Sequence, residues 1–239
     1  MQEPSSADPS RLELAEWRRL TAELYAEVRR LAARDPADAC RVWRETREAM
    51  YRGHPQSPVP PDARSSFRAA HFPYDPALRF ELPLVPDESP SSEAAAALRA
   101  PVATPGGPPG RGISIIGGPA ALPVSTGQPR SFDRIGWVEL PLPGGSRRLA
   151  VYWLAEYSGG LFIPFGDATN GRETYGAGRY LLDSAKGADL GGDPGRGTIV
   201  ADLNFAYQPS CAFDPRWSCP LAPPENRLDV AIRAGERID

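Results

Sequence analysis

In the first part of the chain the apolar residues fall at helical spacing. Leu14, Trp17, Leu20, Leu24, Val28 and Leu31 recur three and four residues apart between Ser10 and about Arg34, with Glu16, Arg19, Glu23, Glu27 and Arg30 between them. That pattern predicts a helix with one apolar face. Asp35-Pro36 restarts it, because aspartate suits an N-cap and proline suits a first helical position that needs no N–H. A second helix is expected to run to Tyr51 or Arg52 and to stop at Gly53. Residues 1–55 thus read as an N-terminal helical hairpin, a clasp on the rest of the chain or a surface for self-association.

The period then changes. His54-Pro-Gln-Ser-Pro-Val-Pro-Pro61 holds too many prolines for regular helix. Phe67, Phe72 and Tyr74 are the anchors that such an extended segment offers to a core. Leu78–Leu84 alternates as a strand, which Pro83 confines to an edge or an end. About 86–112 the composition of Pro, Gly, Ala and Ser marks a flexible insertion. Strand signals become dense after Ser131. Arg134–Leu142 and Ser146–Tyr157 flank a Pro143-Gly-Gly145 turn, and the apolar residues of the second arm fill both of its faces. Leu161–Phe165 follows, then Asn170-Gly171, a pair favoured in type I′ hairpins, with a returning arm from Glu173 to Leu182. Thr198–Tyr207 and Leu228–Ala234 complete the set. The expected fold is α+β, mainly β: a curved or barrel-like antiparallel sheet over residues 56–239, with the helical hairpin before it.

Composition narrows the function classes. A formal charge of -3 lacks the basic surplus of a general nucleic-acid binder. Neither a spanning helix nor a signal peptide is visible, so a soluble, cytoplasmic protein without a membrane partner is expected. The cysteines, Cys40, Cys211 and Cys219, are then expected as thiols. Buried loop thiols, a disulfide between Cys211 and Cys219, and a metal site are the readings for the second pair. The only histidines, His54 and His71, lie far from it, so no metal is expected there and no cofactor is predicted. G-x-S-x-G, H-E-x-x-H and nucleotide fingerprints are all absent.

The candidate chemistry is a set of polar residues within strand-like sequence: Asp167, Glu173, Tyr175, Arg179, Asp202, Asn204, Tyr207 and Asn226. Buried charge is costly unless paired, and an arginine fork matches a carboxylate. One reading is a structural network in which Arg179 bonds Asp202 or Glu173. Another is a polar pocket for a small polar or anionic ligand, and a third is an enzyme of hydrolase or isomerase type using the same acids. Alternation places Glu173, Tyr175 and Arg179 on one strand face, Asp202 and Asn204 together on another, and Asp167 opposite Thr174. No catalytic residue is assigned.

These same residues carry a resemblance. Phe165-x-Asp-x-Thr-x-Gly-x-Glu-Thr-Tyr-Gly-x-Gly-Arg179, Asp202-x-Asn-x-Ala-Tyr207, Cys211-Ala-Phe, Cys219-Pro-Leu, Pro224-Glu-Asn and Ala234-Gly-Glu resemble the C-terminal signature of the bacterial and archaeal family called domain of unknown function 1684. The likeness is densest over 162–237 and looser at Ser57-Pro and Phe72-Pro-Tyr-Asp-Pro76. Leu203 stands where members often have Phe, and Gln208-Pro-Ser210 where they have Asn-Pro-Pro. Many members also have an additional N-terminal module. The resemblance locates a candidate region and carries no activity with it.

Overall fold

A computed structural model of the chain describes residues 9–87, 119–125, 130–155 and 159–238. The expected insertion therefore lies, from residue 88 on, outside the described residues.

Two helices open the fold, α1 (Pro9–Ala32) and α2 (Pro36–Gly53). Asp35 caps α2, its Oδ1 accepting the N–H groups of Ala37 and Asp38 at 3.0 Å each. At the other end the helix runs through Gly53, and the His54 N–H donates to Met50 O. Leu24, Tyr25 and Val28 of α1 and Ala39, Cys40 and Trp43 of α2 are buried in the same apolar cluster as the strands. Trp43 Nε1 donates to Tyr25 Oη at 3.1 Å, which satisfies the indole without water. These inward residues of the helices are thus packed within the chain, while Leu12 and Leu14 of α1 stay exposed.

Nine strands follow among the described residues: β1 (Arg79–Pro83), β2 (Val85–Pro86), β3 (Pro119–Leu122), β4 (Arg130–Leu140), β5 (Arg147–Leu154), β6 (Leu161–Phe165), β7 (Arg179–Asp183), β8 (Gly192–Asp193) and β9 (Thr198–Asp202). They form two antiparallel sheets, one of order β1-β9-β8 and one of order β2-β4-β5-β6-β7 with β3 also on β4. Neither closes into a barrel. β1 is an edge strand that ends at Pro83, where the missing N–H does no harm. In β5 the run Leu149, Ala150, Val151 and Tyr152 is buried on both faces, as its unbroken apolar sequence requires.

Three expected elements differ. Asn170-Gly171 is not a type I′ hairpin turn: that turn needs positive φ at both central residues, and only Gly171 has it. Residues 166–178 instead fold on themselves, with the N–H groups of Arg172, Glu173 and Thr174 all donating to Thr169 O, so β7 begins only at Arg179. β9 stops at Asp202, whose side chain accepts the Asn204 N–H and caps a single 3₁₀ turn over Leu203–Phe205. No strand occupies 228–234; that segment is held largely by side chains, as described below.

Removing the α2 cap should be felt cleanly, because Asp35 is exposed and supports nothing else. Asp35→Ala is expected to lower unfolding free energy by about 1 kcal/mol, read from urea denaturation by circular dichroism.

Candidate functional site

The residues after β9 lack ladder partners for much of their backbone, and the buried polar side chains supply them. Arg179, the first residue of β7, has no exposed surface. Its Nη2 donates to Asp167 Oδ2 at 2.9 Å and to Ile232 O at 2.8 Å, and its Nη1 donates to Ala234 O and to Glu236 O, the latter at 3.0 Å. One guanidinium therefore gathers alternate carbonyls of the final segment. The face of Phe165 lies 5.2 Å from its carbon. Asp167 spends its other oxygen on the Thr169 N–H, the Thr169 hydroxyl and the Ile232 N–H. Burial pushes the Arg179 pKa down and the neighbouring Asp167 charge opposes that shift.

Two glycines make room for this arrangement. Gly178 has φ +100°, and a Cβ there would sit 2.5 Å from Phe165 O. Gly235, at φ +75°, leaves room for the backbone of Ala206 to approach.

Glu236 extends the frame to the helices. Its Oε1 accepts from Arg47 Nε of α2 at 2.6 Å, and its Oε2 accepts the Gln208 N–H at 2.7 Å. Arg47 in turn lies over the rings of Tyr51 and Tyr207, at 4.4 and 4.5 Å. Tyr207 therefore belongs to this clasp.

Asn226 and Asn204 act as missing strand neighbours. Asn226 Oδ1 accepts the Ala150 N–H at 2.7 Å, and its Nδ2 donates to Ala150 O at 3.0 Å and Pro164 O at 2.7 Å. It fills the gap where β5 and β6 part, their pairing being confined to Tyr152–Phe162 and Trp153–Leu161. Asn204 does the same for Asp75, accepting its N–H and donating to its carbonyl, each at 2.8 Å. Asp202 Oδ1 accepts a further bond from Asn204, and Arg79 stands 3.5 Å from its other oxygen. Burial raises the Asp202 pKa, with those bonds opposing.

The sequence candidates thus fall into separate bonded sets. Arg179 pairs with Asp167 rather than with Asp202 or Glu173, because the folded 166–178 loop turns Asp167 inward. Glu173 lies at the surface on Arg233, with an oxygen 2.9 Å from its Nη2. Tyr175 reaches Cys211, its hydroxyl 3.8 Å from the sulfur.

A cleft of about 410 Å³ opens elsewhere, between α1, the ends of β5 and β6, and the loop before Cys219. Trp17, Phe132, Leu161, Phe162 and Trp217 are among its walls, with Asp183, Lys186, Ser210, Ser218 and Cys219 as polar lining. None of the eight polar candidates lines it; of the residues singled out in the sequence, Cys219 does. Its apolar part comes from residues that read simply as helix face and strand core. Trp217, two residues before Cys219, was the available signal.

No disulfide joins Cys211 and Cys219, and the Cys211 N–H donates to Cys219 Sγ at 3.3 Å. The nearby Cys219, with help from the Tyr175 hydroxyl, pulls the Cys211 thiol down to about 6 against the effect of burial. Cys219 is correspondingly held up, by its neighbour Cys211 and then by burial. No group of three or more His, Cys, Asp or Glu side chains fit to hold a metal occurs among the described residues.

A family model described as a protein of unknown function, DUF1684, matches residues 117–237. The chain belongs to this family. An uncharacterised protein of Haloarcula marismortui, solved by solution NMR, is 28% identical, with 83% of this chain and 92% of that one covered and a TM-score of 0.52. That coverage exceeds the family-model span, so the likeness takes in residues outside 117–237 as well. A comparison with curated proteins gave no match. No helix among the described residues is long and apolar enough to cross a membrane.

Arg179→Ala leaves Asp167 as a buried unpaired carboxylate, with the carbonyls of Ile232, Ala234 and Glu236 losing their donor. It should cost about 3–5 kcal/mol, whereas Glu173→Ala at the surface should leave the melting temperature unchanged. Asp202 sets a pH dependence. Its folded pKa lies above the ordinary 3.8, so the ionised form is the costly one. That cost is present above the folded value and vanishes below the unfolded one. The stability of the native protein relative to Asp202→Asn should therefore rise as pH falls from neutral, and level off below about 3.8.

Proposed function

We propose that this protein binds a small amphipathic ligand in the cleft beside α1, and that the polar frame around Arg179 and Asp167 holds the walls in place. The observation that carries this reading is the cleft itself. Ligand sites are characteristically concave, mostly apolar and provided with a few convergent polar groups, in the size range of about 300–1,000 Å³. Aromatic walls from Trp17, Phe162 and Trp217 would take an apolar body, and Asp183, Lys186 and Ser210 would orient a polar head. Lys186 Nζ lies 3.1 Å from Asp183 Oδ2, so the pair offers both a donor and an acceptor at one edge.

The frame supports a scaffold role for the polar signature. Arg179, Asn204 and Asn226 have no exposed surface; both Nη atoms of Arg179 and the amides of Asn204 and Asn226 are spent on backbone and on Asp167 or Asp202. Asp202, the acid whose proton is held up by burial, is likewise fully covered. A larger hollow of about 600 Å³ near Arg79 and Tyr74 opens widely to solvent. The smaller one beside Phe67 and Phe213 holds about 190 Å³. The cleft beside α1 combines enclosure with size.

The environment-sensitive dye 8-anilinonaphthalene-1-sulfonate, an aromatic body with one anionic head, tests the reading. The folded protein should enhance its fluorescence saturably and be competed by octanoate. Leu14→Glu, at the rim on a half-exposed residue, should weaken binding at least tenfold without lowering the melting temperature. Val85→Glu, an exposed apolar position away from the cleft, should change neither. Equal binding by the Leu14→Glu protein, or no saturable binding at all, would refute the assignment.

A further inference from the structure

The frame accounts for the buried polar residues, but it leaves two neighbouring cysteines, one of them at the wall of a cleft. We propose that Cys211 and Cys219 are a redox-active dithiol that reduces low-molecular-weight disulfides entering through the cleft. The geometry has several parts. Cys219 lines the cleft, and Cys211 lies behind it, its backbone N–H donating to Cys219 Sγ. Each sulfur has a donor directed at it, the Cys211 N–H toward Cys219 and the Tyr175 hydroxyl toward Cys211. Such donors favour the thiolate, the form that attacks a disulfide. The pair closes a short loop, with the Cys219 sulfur already 3.3 Å from the Cys211 backbone nitrogen. Cys40 stands apart from this pair, shut in the core with its thiol on Asn204 O, and burial pushes its pKa up to about 11.

The chemistry balances as ordinary exchange. The pair carries one charge that rests mainly on Cys211, and the minor form, with the proton on Cys211 and the charge on Cys219, is the one that reacts. The Cys219 thiolate then attacks one sulfur of the small disulfide, forming a mixed disulfide and expelling one thiolate, which is protonated by water. Cys211, losing its proton again to solvent, attacks Cys219 Sγ and displaces the second thiolate. Two protein thiols are oxidised to one protein disulfide, and one small disulfide is reduced to two thiols. The easily ionised residue is thus the resolving one, and the residue at the cleft is the one that meets the substrate.

The inference uses the cleft only as a route to Cys219, so it is separable from the binding of the dye. The fully reduced protein is incubated with glutathione disulfide, quenched by alkylation and weighed intact. The wild-type chain should lose the mass of two hydrogens, release two glutathione molecules and keep Cys40 as a thiol that alkylates only after denaturation. Cys211→Ser should instead trap one glutathione on Cys219, and Cys219→Ser should trap none. The wild-type result decides the matter even if a variant fails to fold. Both thiols remaining reduced in excess glutathione disulfide, or a permanent glutathione adduct on the wild type, would overturn the inference. Disulfide formation without dye binding would remove the ligand reading alone; dye binding with inert thiols would remove this one alone.

Discussion

The fold depends on a buried guanidinium. Arg179 sits at the start of β7, where it is fully covered, and it is tolerable there only because Asp167 neutralises it and three carbonyls of the final segment accept its protons. The arrangement works in both directions. The charge needs those acceptors, and the segment from Ile232 to Glu236, which joins no strand, needs that donor. Through Glu236 and Arg47 the same network reaches α2, so the helices, the larger sheet and the C-terminal segment are held by one continuous set of bonds.

This explains why amides and acids recur where an apolar strand pattern would be expected. Asn226 and Asn204 each exchange a pair of hydrogen bonds with a single backbone residue, as an antiparallel neighbour would. A side-chain amide presents one donor and one acceptor side by side, which is the same arrangement that a peptide edge requires. The chain thereby ends its sheets early and still satisfies its buried backbone. The candidate binding cleft lies apart from this frame, where apolar walls meet the Cys219 loop.

Much of the architecture was legible in the sequence. The 3.6-residue spacing of Leu24 and Val28 and the Asp35-Pro36 cap set the helices, and the unbroken run of β5 marked a strand buried on both faces. The polar cluster was visible as well, but its partners were not. Asn170-Gly171 reads locally as a hairpin turn, whereas Thr169 O captures several following N–H groups and folds the loop inward, bringing Asp167 to Arg179. Strand alternation cannot apply to a segment that is not a strand. The cleft was hidden for a different reason, since its walls come from distant apolar residues that carry no local motif.

The central claim, that buried side chains stand in for a missing strand at the C-terminus, is tested most directly by native-state hydrogen exchange. The N–H of Ile232 donates to Asp167 Oδ1 and that of Gln208 to Glu236 Oε2, outside any ladder. Both amides should exchange only with global unfolding, at the same free energy as the amides of β5. Exchange of Ile232 and Gln208 at the rate of an exposed coil, with β5 still protected, would contradict the account.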